Sequence, residues 1–491
     1  MWESVVSDFW IFPVILVIIY GIWRLKNYLR AVKLVLTLNG PTIVPFLGNT
    51  GYLYDEELLK TMSHVAYTTY GSFFRLWVTI FPFVVLLEPH DIQQVLGSPK
   101  HTDKVLFYKL LHNFLGKGLI TSDVSTWRSH RKILQPIFHV NVLEQFVRTF
   151  NRSAKTLVKC LEGSGELGVD ITRAVNDSVY EILNETVLGN TNKSEISNSP
   201  FRKGQLLFSY RLTHPWLLPD WIYRRTSHGK REQSHKDDLS LACEKVLKSS
   251  EKSKSISLLE LMIEAKGKHK DFSNEDVRNE CCTFMLAGQD SVGSAVALTL
   301  FMLSKHKKWQ ERCYQELETI FGGDRRDPGL ADLREMRCLE MCVKETLRMY
   351  PSVPFFARTL GEDVKIGKKI IPKGCGVLIM PYSTHRLPHH YPNPHDFNPE
   401  RFNSENSSQR HPYAYLPFSA GPRNCIGYKF ALLEMKSMIS AVLRRFHLDV
   451  APGREEISPK FRVTVRVKGG VWIKAHPRDN SGEENLEHYC R

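Results

Sequence analysis

The sequence predicts a mainly helical protein with minor strands, forming one large domain behind an N-terminal membrane-spanning helix. Three observations carry this. Helical stretches dominate the middle of the chain, including an apolar run from Ser273 to about Ser304. Strand-like alternation of apolar and polar residues is confined to Phe73–Leu87 and to the C-terminal region. No second linker and no repeat at a fixed period divides the 491 residues, although length alone suggests about three domains.

The elements follow in order. Phe9 to Trp23 (FWIFPVILVIIYGIW) carries no charge, and the apolar stretch reaches back to Ser4 with only Asp8 interrupting. That approaches the ~20 residues that span a bilayer. Glu3 and Asp8 precede it, while Arg24, Lys26, Arg30 and Lys33 follow, so the chain beyond it is expected in the cytosol. The acidic lead and the lack of a small-residue cleavage site argue against a removed signal peptide. Residues 1–34 are therefore read as anchor and basic flank. Residues 35–50 form a stiff hinge, because Pro41 and Pro45 fix φ and remove backbone donors. Residues 51–479 make the main domain, with Lys248–Ser257 as a polar surface loop. Residues 480–491 are an acidic, frayed tail. Near the C-terminus, Phe461–Val467 and Val471–Lys474 flank Gly469-Gly470, which reads as a hairpin turn.

Composition sets limits. Apolar residues at 42% and charged residues at 24% are ordinary for a globular chain, which excludes wholesale disorder and a multi-span membrane protein. Lys and Arg outnumber Asp and Glu, 66 to 52, for a net +14. This suits an acidic partner or an anionic membrane; nothing in it calls for nucleic acid. The ten cysteines are scattered without a CxxC pair, which favours a reducing compartment.

One cysteine stands apart. In Phe418-Ser-Ala-Gly421-Pro-Arg423-Asn-Cys425-Ile-Gly427, flanking glycines let backbone N–H groups approach the sulfur, and an arginine lies two residues away. Donors aimed at sulfur favour a thiolate, and an apolar helix from Phe430 to Met438 adds its N-terminal dipole. The pattern FxxGxRxCxG resembles the haem-binding signature of the cytochrome P450 superfamily. The resemblance runs from about Pro41 to Lys474 and implies one helical domain around haem b, with Cys425 as the axial iron ligand and Phe418, Arg423 and Gly427 shaping its loop. A thiolate ligand there favours O–O cleavage.

Other segments agree. Glu345-Thr-Leu-Arg348 places both charges on one helix face; it resembles the family's ExxR, which with Arg401 implies a buried network holding the fold and the haem. Trp127 and Arg131 resemble the family's WxxxR helix, and with Arg358 and Arg423 are expected on the haem propionates. Guanidinium groups suit planar carboxylates. Arg128 and Lys132 are read as a solvated basic face. Ala287-Gly288-Gln289-Asp290-Ser291 resembles the oxygen-activation motif. Gly288 costs ~1 kcal/mol in mid-helix, which close approach of oxygen would explain. Asp290 and Ser291 would relay protons, with Ser291 standing where the family has threonine.

Phe114-Leu-Gly116-Lys-Gly118, together with the anchor, resembles the animal microsomal family 4, with an arthropod flavour to TFMLAGQDS. Better-known members oxidise fatty-acid ends. Many carry Glu where this chain has Ala287, so covalent attachment of haem is not expected here. By analogy, Phe107, Phe114, Phe284, Met285, Ala287, Val353, Phe355, Phe356 and Val463 line an apolar substrate pocket. The histidine-rich stretch Thr384–His395 lacks an HExxH helix and is not read as a zinc site.

The implied activity is a monooxygenase that inserts one oxygen from O2 into a hydrophobic substrate with NADPH electrons. NADPH–cytochrome P450 reductase is the expected donor, with cytochrome b5 as a second candidate. The place is the endoplasmic reticulum membrane, single-pass, with the catalytic domain facing the cytosol. Arg423, Lys429, Lys436, Arg444 and Arg445 against Glu434 suggest a basic docking face. The rivals are a reductase-independent haem-thiolate isomerase or dehydratase, and a non-enzymatic haem or lipid carrier. Retention of Asp290-Ser291 argues against the first.

Overall fold

The structure is a computed structural model that describes residues 2–54, 58–163, 165–190, 207, 210–211, 214–249 and 256–478. The tail 480–491 and residues 250–255 of the expected loop lie outside them; Lys248 and Ser249 end a helix.

The domain is built around helix α5, Asn274–Lys305; the preceding helices used below are α1 (Trp2–Leu36), α2 (Val124–Leu134), α3 (Val140–Glu162) and α4 (Ile171–Leu188). Ser273 starts α5 by a reciprocal cap: its Oγ accepts from the Asp276 N–H at 3.1 Å, and Asp276 accepts from the Ser273 N–H at 2.8 Å. Among the described residues it is the one helix long and apolar enough to cross a bilayer, yet 78% of its apolar window is buried. It is therefore a core helix. It packs against α4, against α7 (Arg337–Met349) and against α8 (Tyr428–Leu443), while α8 also packs on α3. Helix α6, Lys307–Phe321, lies between α5 and α7.

Beside this bundle lies a four-stranded sheet. β1 (Phe73–Val78) and β2 (Phe81–Leu86) pair antiparallel, so the single alternating stretch is two strands turned at Thr79, whose φ is +57°. A two-residue strand β3 (Val169–Asp170) follows, then β4 (Phe356–Thr359), β5 (Val364–Ile366), β6 (Lys369–Ile371) and β7 (Gly376–Ile379). β7 runs parallel to β2 and antiparallel to β4. The last turns of α1 belong to this body: Ala31 and Val35, with Leu38 just beyond the helix, are buried in one cluster with Trp77 and Val84, and Arg30 pairs with Asp363 at 2.6 Å. The segment after α1, expected as a hinge, is packed down on the sheet. Asn49 accepts from the Trp77 N–H at 2.9 Å and donates to the Thr42 carbonyl at 2.8 Å.

The C-terminal hairpin is not where the glycine pair places it. β9 (Pro459–Arg462) pairs with β10 (Thr464–Val467) around Val463, a β-branched residue at φ +67°. β11 (Trp472–Pro477) leaves for a different sheet, between β3 and β8 (Phe446–Val450). Gly469-Gly470 therefore joins two sheets. A β-branched residue at positive φ is sterically unfavourable, so nothing local marks Val463 as a turn. The structure holds it: the Val465 N–H donates to the Ser352 carbonyl at 2.9 Å, and Ser294 Oγ donates to the Val465 carbonyl at 2.7 Å.

The expected basic docking face on α8 is also corrected. Glu434 is fully buried, Lys436 is 3% exposed and paired with Glu340 at 2.8 Å, and Arg444 donates to the carbonyls of Arg326 and Asp324. Of that set only Lys429 and Arg445 are exposed. Glu434 has no hydrogen-bond partner for either oxygen among the described residues, and burial pushes its carboxyl well above 4.5. It is neutral when folded and ionised when unfolded above about pH 4.5. That contribution to stability is present below the unfolded pKa and lost as pH rises. Glu434→Met removes that loss together with the unpaired buried carboxyl. The variant will be more stable than the parent by about 1–3 kcal/mol at neutral pH, and the gap will be larger at pH 8 than at pH 5 in denaturant titrations.

Candidate active site

Cys425 lies three residues before α8, in a loop closed by its own N–H donating to the Phe418 carbonyl at 2.9 Å. Gly421 makes the turn possible. Its φ is +73°, and a Cβ there would stand 1.8 Å from the Leu96 carbonyl oxygen. The Gly427 N–H donates to the sulfur, and Arg131 lies close enough to favour its charge. Burial outweighs both, so the thiol sits above its ordinary value of 9.0. Desolvation thus opposes the donors that favour a thiolate, and a metal ligated to the sulfur would tip the balance to deprotonation. The residue itself is solvent-accessible.

Behind α7 lies the charge network. Arg348 gives Glu345 two parallel hydrogen bonds, at 2.7 and 2.9 Å, and both side chains are fully buried. The remaining Arg348 donors reach the carbonyls of His385, Pro394 and Asp396. Arg401 approaches Glu345 at 3.4 Å, and the Asn398 N–H donates to it at 2.9 Å. His385 links this network to the cysteine loop. Its Nε2 accepts from the Leu416 N–H at 2.7 Å, which leaves Nδ1–H to donate to the Arg348 carbonyl at 3.1 Å. Burial, then the Arg348 charge, lowers its pKa to about 3, so the ring is neutral. Sequence reading did not single out His385 in this role.

The basic residues divide. Arg131 donates to the Asn424 carbonyl and to its Oδ1, both at 2.8 Å, so it braces the cysteine loop. Arg423 gives its Nη groups to the carbonyls of Thr102, Leu119 and Ser122, lies 5.1 Å from the Trp127 ring, and leaves a buried Nε without a partner among the described residues. Arg358, 2% exposed, donates to its neighbour Ala357. Lys104, missed by the sequence reading, completes a cluster with these two. Burial first, then Arg358 and Arg423, holds its pKa well below 10.5. Burial and then Arg358 lowers Arg423 to about 10. None of the three makes an ion pair among the described residues. Three close, unpaired cations beside an accessible thiol fit a cofactor with two carboxylates and a thiophilic metal. Lys104 sits in a polar stretch, His101-Thr-Asp-Lys104, with no local signal of that role.

Helix α5 presents two faces. Cys281, Met285, Gln289 and Val292 are buried, but Ala287 is exposed in mid-helix and Ser291, four residues on, is part-exposed. Gly288 belongs with the buried face: a Cβ there would meet the Leu183 side chain of α4 at 2.8 Å. Its glycine answers helix packing, which corrects its assignment to oxygen approach. Asp290 and Ser291 diverge as i,i+1 neighbours on a helix must. The Asp290 carboxylate, 5% exposed, pairs with Arg466 of β10, while Ser291 Oγ donates to the Ala287 carbonyl at 2.6 Å. No direct bond joins their side chains, and Arg466 went unremarked in the sequence because its partner lies 176 residues away.

The pocket residues divide likewise. Val353 is 37% exposed, and Phe107, Phe355 and Val463 are part-exposed. Met285 (1%), Phe114 (4%), Phe284 (8%) and Phe356 (9%) are buried in core clusters; Phe284 packs edge-on against Phe138, 5.2 Å between centroids. On the histidine-rich loop, Glu88 lies 3.1 Å from His389 and 3.6 Å from His390, at the surface.

A helical domain with a solvent-accessible cysteine loop, a cluster of unpaired cations and a part-open strip on its central helix fits the haem-thiolate class. A family model described as Cytochrome P450 matches residues 38–472. The chain is 47% identical to a protein described as probable cytochrome P450 4aa1 of Drosophila melanogaster, over 93% of this chain and 92% of that one. It is 36% identical to cytochrome P450 4c3 of the same fly over 92% of each, and 35% identical to cytochrome P450 4V2 of Homo sapiens over 82% of each. The chain belongs to the cytochrome P450 family and is of the family 4 type. It is a haem-thiolate monooxygenase that uses a redox partner, dioxygen and a hydrophobic substrate.

Proposed function

We propose that this enzyme hydroxylates a lipid or terpenoid substrate at the endoplasmic reticulum membrane, with electrons from NADPH–cytochrome P450 reductase and, as a second donor, cytochrome b5. The observation that carries the reading is the open Ala287–Ser291 strip on an otherwise buried helix. Ala287 and Val353 offer it an apolar wall. Haem bound at Cys425 supplies the activation of dioxygen. Lys104, Arg358 and Arg423 neutralise its propionates, and Trp127 and Arg131 hold the cysteine loop against α2. Ser291 holds a hydroxyl beside the strip. A proton moving between it and Asp290 crosses a bridging water, since the two side chains are not bonded.

The anchor reading is supported by the successive exposed side chains of Ile15 to Tyr20, then Ile22 and Trp23, on a helix followed by Arg24 and Lys26. A soluble surface rarely shows such a run. Exposed Arg128, Lys132 and Lys429 offer the reductase a basic face near the cysteine loop.

Purified enzyme with reductase and NADPH, screened on a lipid panel by mass spectrometry, will yield a product one oxygen heavier. Ser291→Ala will lower product per NADPH consumed; an unchanged ratio contradicts the relay. Product formed from hydroperoxides without NADPH would favour the isomerase instead. Ala287 has no carboxylate to esterify haem, so acid butanone will extract the haem completely; haem retained on the protein would refute this.

A further inference from the structure

Three cysteines to which the monooxygenase reading gives no role lie together between α6 and α7. Cys313 Sγ is 3.7 Å from Cys338 Sγ and 3.6 Å from Cys342 Sγ, and all three sulfurs fall within 4.8 Å of one another. Cys338 and Cys342 are four apart on α7 and share one helix face. Cys313 and Cys342 are fully buried, while Cys338 is part-exposed in the first turn of α7. At that helix end the Cys338 and Leu339 N–H groups donate to the Glu316 carboxylate, at 2.6 and 3.1 Å.

We propose that Cys313, Cys338 and Cys342 form a three-thiolate site for a thiophilic divalent cation of the zinc type. The spacing supports it. Zinc with Zn–S bonds of about 2.3 Å in a tetrahedron places its sulfurs about 3.8 Å apart, close to the two separations observed. The part-exposed side of Cys338 leaves room for water as fourth ligand. Three thiolates and a divalent ion carry one net negative charge, and the Arg312 guanidinium, paired first with Glu400 at 2.7 Å, lies close enough to these sulfurs to feel their charge. Binding releases the three thiol protons to solvent. The bound ion would pin α6 to α7 three residues before Glu345, and so brace the helix that carries the Glu345–Arg348 pair.

The test uses the reduced, haem-loaded full chain, in which Cys425 is occupied by iron. Titrated with cadmium as probe, the protein will gain thiolate-to-metal charge-transfer absorbance that saturates at one equivalent, and zinc will compete it away. Cys338→Ser and Cys342→Ser will weaken binding at least tenfold, while Cys160→Ser, at an exposed site, will not. Should a variant fail to fold, alkylation of the parent decides: zinc will protect the part-exposed Cys338 and leave Cys160 reactive. Lack of a saturable equivalent, binding retained in both variants, or Cys338 alkylated equally with and without zinc would overturn the site and leave three thiols in simple packing contact.

Discussion

Replacing Glu345 by glutamine will cost about 3–5 kcal/mol of stability and will yield protein largely without haem. The carboxylate is fully buried and takes both parallel donors of Arg348, the Arg401 guanidinium at 3.4 Å and the Asn398 N–H. Glutamine has similar size but no charge, so the buried Arg348 and the part-exposed Arg401 guanidinium lose their anion. Breaking one side of a buried pair leaves an uncompensated charge, which is where the large cost arises. Arg348→Lys should fall nearly as far, since an ammonium cannot fork to Glu345 and still reach three carbonyls from separate parts of the chain. Urea midpoints and haem-to-protein ratios check both. A Glu345→Gln variant within about 1 kcal/mol of the parent would remove the network from this account.

The second large effect is at Cys425. Cys425→Ser keeps the loop closure, because the bond to the Phe418 carbonyl comes from the backbone N–H. It removes the soft ligand, and oxygen donates far less electron density to iron. Turnover with NADPH and reductase will fall to roughly one-thousandth or below, while far-ultraviolet circular dichroism stays that of the parent. Retained turnover would mean that chemistry occurs elsewhere.

The parts legible in the sequence are those encoded locally. Cys425 and its glycines, the Glu345–Arg348 spacing and the Ser273 cap each lie within one short segment, and the structure places them as their spacing implies. The parts that were not legible depend on partners far along the chain. Gly288 reads as a functional glycine until Leu183 is seen against it. Glu434 and Lys436 read as surface charges, because a helix period does not say which face meets α3 and α7. Turn propensity places the hairpin at Gly469-Gly470, whereas tertiary contacts hold Val463 at positive φ. Lys104 carries no local mark, and its meaning comes only from Arg358 and Arg423 beside it.

The central claim is that Cys425 is a thiolate on haem iron inside this domain. The carbon monoxide difference spectrum of the dithionite-reduced, haem-loaded protein tests it most directly. The account predicts the long-wavelength Soret band of thiolate ligation, lost in Cys425→Ser. A band at the position of histidine-ligated or unligated haem in the freshly purified parent, or an unchanged band in the variant, would contradict it.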